Sequence, residues 1–220
     1  FTTPMESTRV TIIQEHEQRV DKTPTFYGDV EVVSQVQGYK KLKFGSQENL
    51  GTGAVNMPEQ ELITTSTWVQ LPMHIADLTG VTPVKDVSAG FVGALTAIHS
   101  IAAVMLMCDP GDIGSCVSCV RGEWTAQVDH LGMIQMTGAS VSDSGYVNLF
   151  IYDRYPGGIG LSENLFRLMP EVVTRALDLT CSCECKFGCP GCIGPITSME
   201  ADLKRAAKTV LEHLDGHMRD

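Results

Sequence analysis

The sequence has few basic residues and no uninterrupted apolar segment long enough to span a membrane. Its 220 residues contain 16 Lys and Arg against 26 Asp and Glu, which gives a formal net charge of −10. A domain that grips nucleic acid unaided normally carries a basic face, so the composition argues against tight autonomous nucleic-acid binding. The apolar run 87–107 is interrupted by glycines, His99 and Ser100, and it indicates a buried helix rather than a membrane span.

Targeting signals and the motifs of a nucleotide site are also missing. The chain begins with Phe1 rather than an initiator methionine, and its first residues do not resemble a signal peptide. We therefore expect it to start inside a longer, cytoplasmic polypeptide. It contains no Gly-x-x-x-x-Gly-Lys-Ser/Thr and no Asp-Glu-x-His, the motifs that hold ATP and Mg²⁺. We therefore predict no catalytic residues and no ATP hydrolysis by this chain alone.

The pattern of apolar residues predicts an α+β fold in two parts. Residues 1–80 form a β-rich accessory segment with antiparallel strands at 8–20, 27–44 and 61–71, and residues 45–53 read as turns. Residues 81–220 form a mixed α/β zinc-binding domain. In this part we expect helices at 86–107, after Ser162 and after the capping box 197–200, and a buried strand at 146–152.

Five of the eight cysteines crowd into residues 181–192. Thiols at this density, in a chain without secretory features, are best explained by one shared metal ion. The spacing predicts two tight turns that each deliver two sulfur ligands to a structural Zn²⁺ between helices. The four predicted ligands are Cys183, Cys185, Cys189 and Cys192. Cys181 could replace one ligand of the first pair, whose members are unusually close in the sequence.

Three other interpretations of the cysteines stay open. A four-cysteine iron–sulfur cluster uses the same ligand type. A disulfide framework would suit an extracellular chain, although this one is long enough to build its own core. A thiol relay would rest on Cys116 and Cys119, with nothing evident to activate them. Elsewhere, His99 is best explained as a hydrogen-bonded core histidine, and Asp109 with Asp112 as a turn or helix cap.

A glycine-rich loop follows the strand at 146–152 and begins at Asp153. A strand, a glycine loop and a helix in this order resemble phosphate cradles, because a helix N-terminus presents free amides to an anion. The loop lacks the lysine of such a cradle, so a tight structural turn before a helix capped by Ser162 is favoured. Asp153, Gly157 and Gly158 remain candidates for a loop that contacts nucleic acid or a neighbouring domain.

Several segments together resemble one family, the C-terminal zinc-binding region of DEAD/DEAH-box superfamily 2 helicases of the mitomycin-repair-factor type. The most specific part is an Asp-x-x-x-Gly-Gly-x-Gly loop followed by Cys-x-Cys-x-x-Gly-Cys-Pro-x-Cys. The match covers most of the chain in the family's order. The other matching segments are Gly38-Tyr-Lys-Lys41, Glu61-Leu-Ile-Thr-Thr-Ser-Thr-Trp68, Ala97-Ile-His-Ser-Ile101, Met107-Cys-Asp-Pro-Gly-Asp-Ile-Gly114 and Tyr152-Asp-Arg-Tyr-Pro-Gly-Gly-Ile-Gly-Leu161.

The resemblance implies a noncatalytic accessory domain of an ATP-dependent DNA helicase, usually linked to DNA repair. ATP and Mg²⁺ would bind only in the parent helicase. The partners would be helicase core domains of the same or another chain and, through the parent, DNA. A rival prediction, which the acidic composition favours slightly, is an interaction scaffold that works with a separate helicase chain, as in some phage-defence systems.

Overall fold

The computed structural model describes residues 2–19, 22–43, 49–72, 75, 84–119, 125–128, 134–137, 145–194 and 203–218. The helices are α1 (Val84–Leu106), α2 (Leu161–Ser182) and α3 (Leu203–Met218). The strands are β1 (Thr2–Arg19), β2 (Thr25–Leu42), β3 (Asn49–Ala54), β4 (Gln60–Pro72), β5 (Ile113–Cys119), β6 (Thr125–Val128), β7 (Ile134–Thr137) and β8 (Tyr146–Asp153). This arrangement confirms the predicted α+β class with a β-rich N-terminal part.

The eight strands form one antiparallel sheet in the order β1-β2-β4-β8-β5-β6-β7, with β3 paired to the outer part of β2. Because β4 pairs with β8, strands from both sides of residue 80 belong to the same sheet. The division into 1–80 and 81–220 stays a prediction, and the shared sheet means that the two parts do not each have a sheet of their own.

The sheet curls, so its two faces bury two different cores. Strand β1 contacts β5, β6 and β7 at the far end of the sheet, and the Cys116 thiol lies 3.8 Å from the Thr8 carbonyl oxygen. The inner face buries an aromatic cluster in which Phe26 stacks on Trp68 and Trp68 contacts Phe150. The outer face carries aliphatic residues such as Val69, Val117 and Leu149, which pack against the three helices.

The helices pack closely because small residues line their contacts. A Cβ atom built on Gly90 would lie 2.9 Å from the Cβ of Ala206, and one on Gly93 would lie 3.1 Å from that of Ala207. Helix α3 therefore lies directly against α1. His99 on α1 bonds the Ile113 carbonyl through Nε2 at 3.2 Å, as expected for a core histidine. No helix in the described ranges is both long and apolar enough to cross a membrane.

Several sequence predictions were wrong in detail. Residues 49–54 form strand β3 rather than part of a turn-rich segment, and β5 was not predicted at all. Helix α1 begins at Val84, two residues before the predicted start at 86. Helix α2 contains Pro170 and still runs from Leu161 to Ser182. The capping box at 197–200 lies outside the described residues.

Candidate metal centre

Four cysteine sulfurs converge where the chain leaves α2 and turns toward α3. The sulfurs of Cys183, Cys185, Cys189 and Cys192 all lie within 4.8 Å of one another. The pairs 183–185 and 185–192 are 3.5 Å apart, and the pairs 183–189 and 189–192 are 3.6 Å apart. The structure thus brings together the four sulfurs that the sequence predicts as ligands.

This donor set fits Zn²⁺. With Zn–S bonds of about 2.3 Å, the edge of a regular ZnS₄ tetrahedron is about 3.8 Å, close to the four separations above. A disulfide would need sulfurs about 2.05 Å apart, so the disulfide interpretation fails here. All eight cysteines belong to the described residues, and none of them forms a disulfide.

The two turns are held in different ways. The second turn closes on itself, because the Cys192 amide donates to the Cys189 carbonyl at 3.0 Å and the Cys189 amide donates to the Cys192 sulfur at 3.3 Å. Gly188 enters this turn with φ of 119°, a conformation that L side chains rarely adopt. The first turn has a hydrogen bond from the Cys185 backbone to the Cys183 thiol and is also held from outside. The Lys204 ammonium donates to the carbonyl oxygens of Cys183 and Cys185 at 2.5 and 2.8 Å.

The thiols differ in how readily they ionise. A hydrogen bond from the Cys185 backbone, together with the neighbouring thiols, lowers the pKa of Cys183 to about 7. Burial raises the pKa of Cys192 to about 12. At neutral pH the Cys192 thiol therefore keeps its proton until a cation displaces it, and metal binding should release protons.

The remaining cysteines lie apart from this cluster. Cys181 is exposed on the last turn of α2, outside the group of four. Cys116 and Cys119 both lie on β5, but three residues apart on a strand they point to opposite faces of the sheet. Cys116 is buried in the inner core and Cys119 in the outer core. A thiol relay between them is therefore excluded.

The glycine loop after β8 is organised by the buried carboxylate of Asp153. Its Oδ2 accepts the amides of Ile159 and Leu161 at 2.7 and 3.2 Å, and its Oδ1 accepts the amide and hydroxyl of Ser162 at 2.8 and 2.5 Å. The predicted N-cap was wrong, because Gly160 occupies the N-cap position of α2 and Ser162 lies inside the helix. Asp153 serves the first-turn amides in its place, from outside the helix.

The two candidate glycines of this loop differ in their surroundings. Gly157 is exposed, has φ of 74° and has no atom within 4 Å of a Cβ built on it. Gly158 has φ of 73° and packs against the Thr65 side chain, so a Cβ there would meet Thr65 Oγ1 at 2.2 Å. At the same end of the molecule, Asp109 and Asp112 form a capping box, and the Tyr155 hydroxyl donates to Asp112 at 2.5 Å.

Sequence reasoning missed Lys204. Its amide also donates to the Phe187 carbonyl at 3.1 Å, so one residue of α3 makes three hydrogen bonds to the cysteine loop. Lys204 lies 12 residues beyond Cys192, and only the return of α3 onto the loop brings it there. No local motif marks this contact.

Comparison with known proteins agrees with this site. Residues 94–193, which include all four clustered cysteines, match the family model of the MrfA Zn-binding domain. The chain is 30% identical over 194 residues to the ATP-dependent helicase YprA of Bacillus subtilis, a match that covers 88% of this chain and 22% of YprA. It is 25% identical over 175 residues to the ATP-dependent helicase hrq1 of Schizosaccharomyces pombe, covering 78% of this chain and 15% of hrq1.

Solved structures give the same result. The crystal structure of the helicase MrfA bound to DNA matches with a TM-score of 0.62 and 27% identity, covering 99% of this chain and 25% of that one. The chain thus spans about a quarter or less of the helicases that it matches. The match of residues 94–193 to the family model of the MrfA Zn-binding domain agrees with the resemblance to these helicases that the sequence showed.

Proposed function

We propose that this chain is a noncatalytic accessory domain of an ATP-dependent DNA helicase, built around one structural Zn²⁺ held by Cys183, Cys185, Cys189 and Cys192. The observation that carries the proposal is the convergence of four sulfurs at near-tetrahedral separations. Four thiolates fill the coordination shell of Zn²⁺, so no position stays open for a substrate or a reactive water. The ion's contribution would be to fold and stabilise.

The surroundings of the cluster support this structural role. Cys192 and Ile193 are buried in the outer core with residues from all three helices. Gly194, with φ of 85°, packs against Thr96 on α1. An ion at the cluster would therefore join the end of α2 to the surfaces of α1 and α3.

Two cysteine variants test the ligand assignment. Cys189→Ser should lose zinc and melt at a much lower temperature, because structural Zn²⁺ contributes on the order of 10 kcal/mol, comparable to a domain's whole stability. Cys181→Ser is the matched control, and it should keep one zinc per chain and the wild-type melting temperature. A Cys189→Ser chain that kept both would contradict the assignment. Iron in place of zinc would favour the iron–sulfur alternative.

The parent activity is inferred from the relatives. YprA and hrq1 are named ATP-dependent helicases, and MrfA was crystallised with DNA. This chain would pack against helicase core domains that bind ATP and Mg²⁺, in a cytoplasmic protein that acts in DNA repair. The complete polypeptide should hydrolyse ATP in the presence of DNA, whereas this chain alone should not. ATP hydrolysis by the isolated chain would contradict its noncatalytic role.

The net charge of −10 is consistent with the alternative function, an interaction scaffold that works with a separate helicase chain. In that case the helicase motifs would lie in a different chain. The sequence upstream of Phe1 decides between the two, because helicase motifs in the same polypeptide would support the accessory-domain proposal. A complete polypeptide without them, which co-purified with a separate helicase, would support the scaffold.

We further propose that the loop after β8 contacts the DNA backbone of the complete protein. Supporting this, Arg154 and Gly157 are exposed there, while Asp153 fixes the loop from inside. Gly158→Asp would be a poor test of this loop, because a Cβ at Gly158 would collide with Thr65. Arg154→Glu is therefore the cleaner test. It should weaken DNA binding, and Arg167→Glu on the exposed side of α2 serves as control. Equal affinities of the two folded variants would count against the contact.

A further inference from the structure

Lys204 is the residue of α3 that reaches across to the cysteine loop. Its ammonium donates to the Cys183 and Cys185 carbonyls and its amide to the Phe187 carbonyl. It lies in the first turn of α3, where backbone amides have no partner inside the helix. The Phe187 carbonyl therefore accepts a hydrogen bond from a first-turn amide of α3, and Lys204 as a whole holds three carbonyls of the loop.

The first turn has an internal hydrogen bond from the Cys185 backbone to the Cys183 thiol, and Lys204 adds support to its two carbonyls from outside. The turn at 189–192 is closed by its own amides, which donate to the Cys189 carbonyl and to the Cys192 sulfur. The pair Cys183 and Cys185 has only one residue between its members. Lys204 donates hydrogen bonds to the carbonyls of that pair, although it lies 21 residues from Cys183 and 19 from Cys185 in the sequence.

The charge of Lys204 also suits the site. Cys183 is the C-cap of α2, where helix carbonyls present partial negative charge. Four thiolates around one Zn²⁺ leave a formal charge of about −2. A half-buried ammonium held against this loop offsets both, and the hydrogen bonds between a charged donor and carbonyls are stronger than neutral ones.

We infer that Lys204 is a positioning residue of the metal centre: it holds the Cys183 and Cys185 turn in its ligand-bearing conformation and slows the release of zinc. This inference rests on the proposed zinc ligation. It gives α3 a direct part in metal retention, in addition to its packing against α1.

The test measures zinc release from the purified chain to an excess of a coloured chelator, 4-(2-pyridylazo)resorcinol. Groups that support metal ligands from outside typically cost 10–100-fold in affinity when removed, so Lys204→Met should release zinc about 10–100-fold faster than wild type. Lys204→Arg, which keeps the charge and donors, should recover most of the difference. Lys208→Met is the control, because Lys208 lies one turn further along α3 and pairs with Glu212 on the exposed side.

If Lys204→Met binds one zinc per chain and releases it at the wild-type rate, the inference is overturned and the zinc assignment stays intact. A wild-type chain without zinc would instead contradict the proposed function. If Lys204→Met does not fold, Lys204→Gln takes its place under the same criterion. Lys204→Arg that releases zinc as fast as the Met or Gln variant would also count against a role for the charged donor.

Discussion

Replacing Asp153 by Asn should destabilise the fold severely, although it changes one atom type. Asp153 is fully buried, and its two carboxylate oxygens accept four hydrogen bonds from Ile159, Leu161 and Ser162. An asparagine turns one oxygen into an amino group that faces these donors. If the amino group replaces Oδ2, the Ile159 and Leu161 amides lose their acceptor; if it replaces Oδ1, the Ser162 amide does, while the Ser162 hydroxyl can still donate to the Thr65 carbonyl at 3.0 Å. Each buried group left unsatisfied costs about 1–3 kcal/mol, so the expected loss is roughly 1–6 kcal/mol.

Urea unfolding at pH 7 in the presence of zinc measures this loss. The control is Asp178→Asn at an exposed position of α2, the helix whose first-turn amides Asp153 accepts; it should shift the unfolding free energy by less than about 0.5 kcal/mol. Folded Asp153→Asn molecules should retain zinc, because the cysteines lie at the opposite end of the 22-residue helix α2 from the Asp153 carboxylate. An Asp153→Asn chain with the wild-type unfolding midpoint would refute the role given to this carboxylate.

Two further predictions concern α1. Gly90→Leu should lower the unfolding free energy by about 1–3 kcal/mol, because Ala206 blocks the new side chain. Ser100→Leu, on the exposed side of the same helix, should have little effect. Equal melting temperatures of the two variants would contradict the close packing. Burial holds the pKa of His99 below its ordinary value of 6.5. As pH falls below 6.5, the unfolded chain gains a proton at His99 that the folded chain resists, so the unfolding free energy should fall. The fall should be steeper in wild type than in a folded His99→Gln variant, by up to about 1.4 kcal/mol per pH unit. Parallel plots of unfolding free energy against pH for the two proteins would be evidence against this.

The elements with strong periodicity could be predicted from the sequence. Alternating β-branched residues marked β1, β2 and β4, and the apolar run at 146–152 marked β8. The face of α3 formed by Leu203, Ala206 and Val210 is buried as expected. The metal cluster was also predictable, because the density of thiols and the Cys-Pro-Gly-Cys turn are local features of the sequence.

The errors arose where distant contacts decide the structure. Strand β3, Asn49–Ala54, contains two glycines and forms by pairing with β2, whose partner residues cannot be read from the local sequence. Ser162 has the side chain of an N-cap residue. The first-turn amides of α2 instead donate to the Asp153 carboxylate, because the glycine loop folds back and brings the start of α2 next to Asp153. The Cys116 and Cys119 spacing suggests a redox pair only until β5 is known to be a strand.

The central claim is that one zinc ion, bound by four cysteine sulfurs, folds the end of this chain onto its helices. X-ray absorption at the zinc edge of the purified chain tests it most directly. The claim predicts one zinc per chain with four sulfur neighbours at about 2.3 Å and no nitrogen or oxygen ligand. A folded chain that contains no metal, or whose Cys183, Cys185, Cys189 and Cys192 are linked in disulfides, would contradict it.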